Sequence, residues 1–245
     1  SGLAFINQAA VAQGKIEAGK LVKRVEEQQL GNTFRGKLKM TITRPDSKRE
    51  LEILSWTENR SKSVIKIVNP VKDRGTGNLR KQFDLWQYLP KVERTIKIPP
   101  SLMLQSWMGS DFTNDDLVKT SSFVRDYTHE FAGFETIDGT KVARIICKPK
   151  PDAPVVWGKL EMWIEPNDAV ILREDFFSEQ GEVIKRLTGS NIKKFGSHTI
   201  PARLEMTTLK KNTSTVLEYV EATFDEPHKK DVFNEAFLKS PITSL

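Results

Sequence analysis

Most of the chain after residue 32 alternates between apolar and polar side chains, and turn sequences interrupt the alternation at regular intervals. The first stretch shows the pattern most clearly. Its apolar positions are Phe34, Gly36, Leu38, Met40 and Ile42, and its polar positions are Arg35, Lys37, Lys39, Thr41 and Thr43. A period of two with one basic face indicates an antiparallel strand that has one buried and one wet side. Comparable stretches recur roughly every 10 to 15 residues, which predicts long antiparallel hairpins.

The turn sequences set the expected strand boundaries. We expect strands at 33–43, 49–57, 63–68, 79–89, 92–98, 123–136, 140–148, 155–165, 170–178, 182–195, 200–210 and 214–225. Open twisted sheets seldom grow beyond about ten strands without curling. The predicted fold class is therefore mainly β (α+β). It is a single curved antiparallel sheet of about eleven strands that forms a half-open barrel, with short helices that plug or cover the mouth.

Helices are expected at both ends of the chain. Residues 14–31 place Ala18, Leu21, Val22 and Val25 on one helical face, and the apolar stretch Leu3 to Ala12 extends that helix. No linker composition interrupts the chain, so we expect one domain over residues 1–245. Its expected parts are an N-terminal helical segment (1–31), the first strands (33–98), a helical lid (99–119), the remaining strands (123–225) and a short C-terminal helix (228–239).

Composition limits the possible functions. Of the 245 residues, 38% are hydrophobic and 29% are charged, and the net charge is +6. The basic residues are spread through the strands rather than clustered, which argues against a nucleic-acid footprint. A solvated basic surface and a surface that rests on anionic headgroups both fit this charge. No run of about 18 apolar residues is present, so no transmembrane segment is expected.

Residues 101–108 form the most apolar short stretch, and two prolines precede it. As a helix it would place two pairs at i, i+4 spacing, which makes it apolar over more than half of its circumference. The pairs are Met103 with Trp107 and Leu104 with Met108. Two interpretations remain at this point: a permanent core plug, or a lid over an apolar ligand. Methionine, which adapts to irregular partners, slightly favours the lid.

A second short helix is expected directly after this stretch. Gly109 to Asp111 ends the first piece, and Thr113 with Asp116 fits a capping pattern for a helix over Asn114–Lys119. The acidic residues Asp111, Asp115 and Asp116 are assigned to helix capping and to compensation of the helix dipole rather than to a metal site.

Residues that usually carry catalysis are sparse. Cys147 is the single cysteine, which excludes an intramolecular disulfide and a cysteine zinc cluster. The histidines, His129, His198 and His228, lie far apart in sequence, and no G-x-S-x-G elbow is present. We therefore expect no catalytic residue, no metal, no cofactor and no enzymatic activity.

The aromatic residues suggest a boundary between apolar and wet surroundings. Trp56, Trp86 and Trp163 each share a strand face with acidic residues, so either core packing or a lipid-facing mouth can explain them. The candidates for a lipid cavity and its lid are Leu54, Trp56, Trp86, Tyr88, Leu102, Met103, Trp107, Met108, Phe112 and Trp163.

Four runs resemble the outer-membrane lipoprotein-sorting family of the LolA/LolB-like superfamily. They are YLPKVERTIKIPPSLMLQSWMGSDFTNDDLVK, RDYTHEF, KPKPDAPVVWGKLEMWI and IPARLEM, and the match runs from roughly Arg24 to the C-terminus. The resemblance implies an incomplete antiparallel barrel around short helices, with a hydrophobic cavity that takes acyl chains. It also implies an arginine near the start of an early strand that holds the lid closed, and Arg60 has a similar place.

The function implied by this resemblance is a carrier or chaperone in the periplasm. It would bind the acyl chains of lipoproteins or other lipids and sort lipoproteins to the outer membrane, with an envelope transporter or an outer-membrane receptor as partner. The expected form is the mature chain after removal of a signal peptide. Two alternatives keep the fold: a sensor or interaction domain of the envelope, and an accessory lipid-binding protein of an envelope exporter. An enzyme would require polar residues with perturbed pKa values inside the cavity.

Overall fold

The structure is a computed structural model that describes residues 16–118, 122–242 and 245. Thirteen strands form one antiparallel sheet. They are β1 (Thr33–Arg44), β2 (Ser47–Glu58), β3 (Lys62–Asn69), β4 (Gly77–Lys81), β5 (Asp84–Leu89), β6 (Arg94–Lys97), β7 (Tyr127–Ile137), β8 (Thr140–Pro149), β9 (Lys159–Glu165), β10 (Val170–Phe177), β11 (Val183–Phe195), β12 (His198–Thr208) and β13 (Thr213–Phe224).

The helices of the described ranges are short. They are α1 (Ala18–Leu30), α2 (Asn114–Val118), α3 (Phe123–Asp126) and α4 (Glu235–Lys239). Single 3₁₀ turns occur at Val71–Asp73, Pro90–Val92, Pro100–Leu102, Trp107–Gly109 and Leu209–Lys211. The predicted α+β content, dominated by strands, is confirmed.

The sheet is an open strip. Its order is β6-β5-β4-β3-β2-β1-β13-β12-β11-β10-β9-β8-β7. Strands β1 to β6 and strands β7 to β13 each pair in sequence order, and β13 joins the two halves by pairing with β1. β6 and β7 are the two edges, and they do not pair with each other in this order. The predicted single curved antiparallel sheet is confirmed, whereas the strand count is thirteen instead of about eleven.

One additional strand comes from a turn that the sequence does not signal. The expected strand 79–89 is divided into β4 and β5, which pair from Lys81 with Asp84 onward. Gln82 makes the reversal possible because it adopts the left-handed region with φ 53°. Glutamine followed by phenylalanine is not a usual turn sequence, since turns with positive φ favour Gly, Asn and Asp.

The N-terminal helix packs as its periodicity predicts. α1 buries Ala18, Leu21, Val22 and Val25 in an apolar cluster with side chains of β7 to β10 and β12. It ends at Gly31, which has φ 55°. The expected extension over Leu3 to Ala12 lies outside the described residues.

The C-terminal segment covers the opposite face of the sheet. Val232, Phe233 and Leu238 pack on apolar side chains of β2, β3 and β4, and α4 is shorter than the helix expected at 228–239. The buried ammonium of Lys66 donates to the carbonyl oxygens of Phe237 at 2.9 Å and of Ser240 at 2.6 Å. Both faces of β2 and β3 are therefore covered, and both are apolar.

Candidate functional site

We call residues 99–118 the central segment, which follows β6 and lies across one end of the sheet. A continuous helix over 101–108 is wrong. Pro99 and Pro100 remove backbone donors, and Met108 adopts a left-handed conformation with φ 52°. The backbone instead folds back on itself, because the amide of Trp107 donates to the carbonyl of Phe112 at 2.8 Å.

The second half of the central segment follows the predicted capping pattern. The amide of Thr113 donates to the carboxylate of Asp116 at 2.7 Å, and the amide of Asp116 donates to Oγ1 of Thr113 at 3.2 Å. α2 then runs over Asn114–Val118. This reciprocal pair fixes the start of the helix. Lys119, the expected last residue, lies outside the described residues.

Asp111 anchors the central segment to the sheet. Its carboxylate is 5% exposed and accepts from the hydroxyls of Thr208 at 2.7 Å, Thr213 at 2.5 Å and Thr215 at 2.7 Å, and from Arg44 at 3.0 Å. Burial by itself would raise the pKa of Asp111, but these hydrogen bonds outweigh it, so the pKa lies below its ordinary value. The expected helix-capping role of Asp111 is wrong.

Trp107 provides a second anchor. Its indole Nε1 donates to Oδ1 of Asn78 on β4 at 2.8 Å, and the two residues are 2% and 3% exposed. Arg49 adds a third anchor by donating to the carbonyl of Met108 at 3.0 Å. Side chains of five strands, β1, β2, β4, β12 and β13, thus hold the central segment in place.

An apolar cavity of about 270 Å³ lies beneath the central segment. Side chains of β1, β2, β3 and β13 form most of its wall, the central segment covers part of it, and the rest is open to solvent. The lining residues are Gln29, Phe34, Leu38, Met40, Ile53, Ser55, Thr57, Ile65, Trp107, Phe112, Leu117, Leu217, Tyr219 and Phe224. Burial raises the pKa of the Tyr219 phenol to about 12, so this hydroxyl is neutral. The cavity therefore contains no charged lining group.

The size of the cavity restricts what fits in this conformation. Ligand pockets usually span about 300–1,000 Å³, and a dry engineered cavity of about 150 Å³ accepts benzene. At about 270 Å³ the present cavity has room for only part of a molecule as long as an acyl chain. A whole long chain requires the central segment or the sheet to move.

Five of the predicted ligand residues lie on the central segment. Trp107 and Phe112 line the cavity, and Met108 packs against the same apolar cluster. Leu102 and Met103 are half-buried in the first turn of the segment and do not line the cavity. The structure thus brings Trp107, Met108 and Phe112 together at the cavity.

Four predicted residues face away from the cavity. Leu54, Trp56, Trp86 and Tyr88 pack with the C-terminal segment on the other face of the sheet, where Trp56 meets Phe237 edge-on at 5.1 Å. The reason is the strand period: on β2 the cavity side is taken by Ile53, Ser55 and Thr57. These four side chains are core residues under the C-terminal segment.

Trp163 is likewise remote from the cavity. Its ring lies between the guanidinium groups of Arg173 at 4.2 Å and Arg144 at 5.7 Å. Its indole nitrogen donates to Glu135 at 2.7 Å. These contacts belong to a polar cluster on β7–β10, and they account for Trp163 without a lipid.

Arg60 contacts α1 rather than the central segment. It lies in the β2–β3 turn and forms an ion pair with the buried carboxylate of Glu26. Glu26 also accepts from the hydroxyl of Ser122 at 2.9 Å, just beyond the central segment. Among the described residues, Arg60 thus pairs with Glu26 and makes no contact with the predicted lid.

Sequence reasoning missed most of the cavity wall. Phe34, Leu38 and Met40 were identified as the apolar face of β1, but nothing in the sequence indicated that this face surrounds a cavity. Leu217 and Tyr219 of β13 meet them because β13 pairs with β1. The alternation in β1 was the available signal, and the pairing of β1 with β13 was the missing information.

Reactive groups are well shielded or occupied. Burial, with a contribution from Glu174, raises the pKa of the Cys147 thiol to about 12, so it is not a thiolate at neutral pH. Nε2 of His129 lies 2.7 Å from the carbonyl of Phe123. Within residues 16–118 and 122–242 no cluster of three His, Cys, Asp or Glu side chains is arranged to hold a metal ion. No helix in the described ranges has the length and apolarity needed to cross a membrane.

Comparisons with known proteins agree with this architecture. A family model described as "Uncharacterized protein" matches residues 59–240. Among proteins with curated descriptions, none matches the sequence.

Three solved structures share the fold over nearly the whole chain, each at 19% identity. A DUF1329 family protein from Desulfovibrio piger has a TM-score of 0.82 over 90% of this chain and 97% of its own. A candidate outer membrane lipoprotein-sorting protein domain from Vibrio parahaemolyticus scores 0.79 over 91% and 98%. A LolA superfamily protein from Nitrosomonas europaea scores 0.73 over 91% and 100%. The resemblance recognised in the four sequence runs is confirmed as a shared fold.

Proposed function

The chain belongs to the family whose model matches residues 59–240 and has the LolA-like fold, and we propose that it is a periplasmic carrier for acyl chains. Its cargo is the acyl part of lipoproteins or of other lipids, and its partners are an envelope transporter or an outer-membrane receptor. One observation carries the proposal: an apolar cavity without charged lining groups lies under a segment that is held mainly by side chains.

The hydrophobic effect explains why an acyl chain needs a carrier in water. Burial of one methylene group contributes about 0.8 kcal/mol, so a 16-carbon chain gains roughly 12 kcal/mol as an upper bound. An acyl chain left in water therefore needs a container. The lining of Phe34, Leu38, Met40 and Leu217 offers the apolar surface that such a chain requires.

The attachment of the central segment suits reversible closure. In the described residues 99–118 its one strand-like pair is the bridge between Ser106 and Thr113, which lies within the segment itself. The attachments to the sheet are mostly side-chain bonds, such as Trp107 to Asn78 and Asp111 to Thr215. The packing of Trp107 and Phe112 into the cavity then competes with the ligand, and the ligand shifts the balance towards the open state.

A binding measurement tests the proposal directly. Titration with a fluorescent fatty acid should show saturable binding, and the double variant Trp107→Ala with Phe112→Ala should bind more tightly because it removes the two side chains that compete with the ligand for the cavity. Far-UV circular dichroism should show an unchanged sheet. Trp163→Ala, which removes a tryptophan remote from the cavity, is the control and should bind as the parent does.

Mass spectrometry of organic extracts from the purified protein gives independent information. A co-purified lipid at stoichiometric amount would support the carrier. An absence of both co-purified lipid and fatty-acid binding would contradict it. The sensor or interaction domain and the accessory protein of an exporter share the fold, but a solid interior would suit a sensor better than the cavity found here.

A further inference from the structure

A second pocket lies on the other side of the central segment. It has a volume of about 470 Å³ and is open to solvent at one end of the sheet. Residues 106–113 form the partition: Trp107 and Phe112 point into the apolar cavity, whereas Ser106, Gly109, Ser110, Asp111 and Thr113 line this second pocket. Residues 106–113 therefore separate the apolar cavity from the polar pocket.

The second pocket is basic. Arg44 of β1, Lys185 of β11 and Lys211 of the β12–β13 turn line it, against one carboxylate, that of Asp111. Three threonine hydroxyls and Arg44 already satisfy that carboxylate. The lining thus has an excess of positive charge, and a concave surface concentrates its field.

The three cations differ in how far they are engaged. Lys185 donates to the carbonyl of Asp111 at 2.6 Å and lies 3.9 Å from the carboxylate of Asp116. Arg44 binds Asp111 and the carbonyl of Gly109. Lys211 is exposed and makes no ion pair with any residue that the structure describes. Lys211 is therefore the cation most available to an incoming anion.

Apolar side chains border the same pocket. Leu104 is 63% exposed and lines both this pocket and an adjoining one, which Val156 and Trp157 also line. Val156 is 49% exposed. The indole nitrogen of Trp157 is buried and has no acceptor among the described residues. The adjoining pocket also holds Asp115 and Asp116, so the excess of positive charge belongs to the second pocket. A cationic pocket with an apolar border fits a molecule that has an anionic head and an apolar tail.

We propose that this pocket binds the anionic headgroup of an amphiphile whose acyl chain enters the apolar cavity when residues 106–113 move aside. The headgroup chemistry is a phosphate or a carboxylate. The inference rests on the proposed carrier function, and it adds that the cargo is an anionic lipid. Lys211 and Lys185 bind the headgroup, and Trp107 leaves the position that the chain then occupies.

Matched ligands and matched variants separate the two parts of this proposal. The ligands are dodecyl phosphate, dodecanol and inorganic phosphate, each measured by displacement of Nile red or by calorimetry. The test variants are Lys211→Gln and Lys211→Glu. The control is Lys210→Gln: Lys210 is the sequence neighbour, pairs with Glu182 at 2.6 Å and does not line the pocket.

We expect Lys211→Gln to weaken dodecyl phosphate binding by about fivefold and Lys211→Glu by more, the size typical of a partly exposed ion pair. Dodecanol binding should stay unchanged in both variants, and the control should bind both ligands as the parent does. Raising the salt concentration should weaken the binding of dodecyl phosphate and leave the binding of dodecanol unchanged.

The other outcomes are distinguishable. If the parent binds both amphiphiles and the Lys211 variants bind dodecyl phosphate equally well, the headgroup site is overturned and the carrier stands. If inorganic phosphate alone binds as tightly as dodecyl phosphate, the pocket binds a free anion, and the proposal that its ligand is an amphiphile is wrong. If neither amphiphile binds to the parent, both this inference and the carrier function fail.

Discussion

The indole nitrogen of Trp107 donates to the side-chain oxygen of Asn78 at 2.8 Å, and neither residue is appreciably exposed. This bond joins the central segment to β4. An indole N–H in an apolar setting needs an acceptor, because a buried donor without a partner costs free energy. The position of the segment is therefore defined by polar contacts, of which this is one, as well as by packing.

Replacement of Trp107 by phenylalanine tests that contact. Trp107→Phe keeps an aromatic ring and leaves Oδ1 of Asn78 without its donor, which should destabilise the closed segment by about 1–3 kcal/mol. Hydrogen exchange at residues 103–113 should become faster, and a fluorescent fatty acid should bind more tightly. Trp163→Phe removes a comparable bond to Glu135 on another part of the sheet and should change neither quantity. Equal exchange in both variants would contradict the role of this bond.

Neutralisation of Asp111 should weaken the attachment of the central segment to β12 and β13. Hydrogen bonds to a charged group contribute about 1.5–3 kcal/mol each, so Asp111→Asn should lower the free energy of unfolding by at least about that amount. Chemical denaturation gives the loss, and faster exchange at residues 106–113 locates it. Asp115→Asn alters a neighbouring acidic residue that is not part of this anchor and provides the comparison. A loss of stability without faster exchange there would argue against the anchor.

The pH dependence follows from the lowered pKa of Asp111. Its ordinary value is 3.8, and the value in the folded protein lies below it. The unfolded chain therefore binds the proton first, and the stabilisation by Asp111 is complete above about pH 5 and is lost as the pH falls through the folded pKa. As the pH falls below 5, the free energy of unfolding of the parent should decrease more steeply than that of Asp111→Asn. If the free energy of unfolding falls equally steeply with pH in the two proteins, the carboxylate of Asp111 is not the group responsible for the loss of stability.

Arg60 should matter through Glu26. Arg60→Met leaves a buried carboxylate that retains only the hydroxyl of Ser122 and the amide of Val124, and the expected destabilisation is about 1–3 kcal/mol for this partly exposed pair. Thermal unfolding measures the loss, and hydrogen exchange should become faster in α1 and at residues 122–126. Arg24→Met is the control, because Arg24 contacts only backbone carbonyls in the β9–β10 turn. If the two variants lower the unfolding temperature and speed up exchange equally, the proposed role of the Arg60–Glu26 pair is wrong.

Lys66 should make stability depend on alkaline pH. Burial, with a contribution from Lys230, lowers its pKa from 10.5 to about 8. Between pH 8 and 10.5 the folded state binds fewer protons than the unfolded state, so this residue makes stability rise with pH across that window. Lys66→Met should lack that rise when denaturation midpoints are compared at pH 7.5 and 10. Lys62→Met, on the same strand but paired with Glu58 at the surface, should keep it.

Local patterns predicted those parts of the fold that depend on local chemistry. The alternation in β1, the buried face of α1 and the capping of α2 by Thr113 are all properties of residues a few positions apart. The turn at Gln82 was not predicted because its positive φ is imposed by the pairing of β4 with β5 rather than by a turn residue. The extra strand follows from that tertiary constraint.

The sidedness of the site could not be deduced from periodicity. Both faces of β2 are apolar, so Trp56 was as good a cavity candidate as Ile53. The C-terminal segment, which covers Trp56, decides between them from about 180 residues away in sequence, a separation that local patterns do not register. The anchor of Asp111 was missed for the same reason, because Thr208, Thr213 and Thr215 follow it by about a hundred residues.

The edge strands of the sheet, β6 and β7, are not paired with each other. The strand pairings of the described residues all lie between these edges, so separating β6 from β7 breaks no ladder hydrogen bond. A closed ring of strands has a bore fixed by its strand number and stagger. The open strip has no bore fixed in that way, and the proposed carrier would for that reason be able to take cargoes of different width.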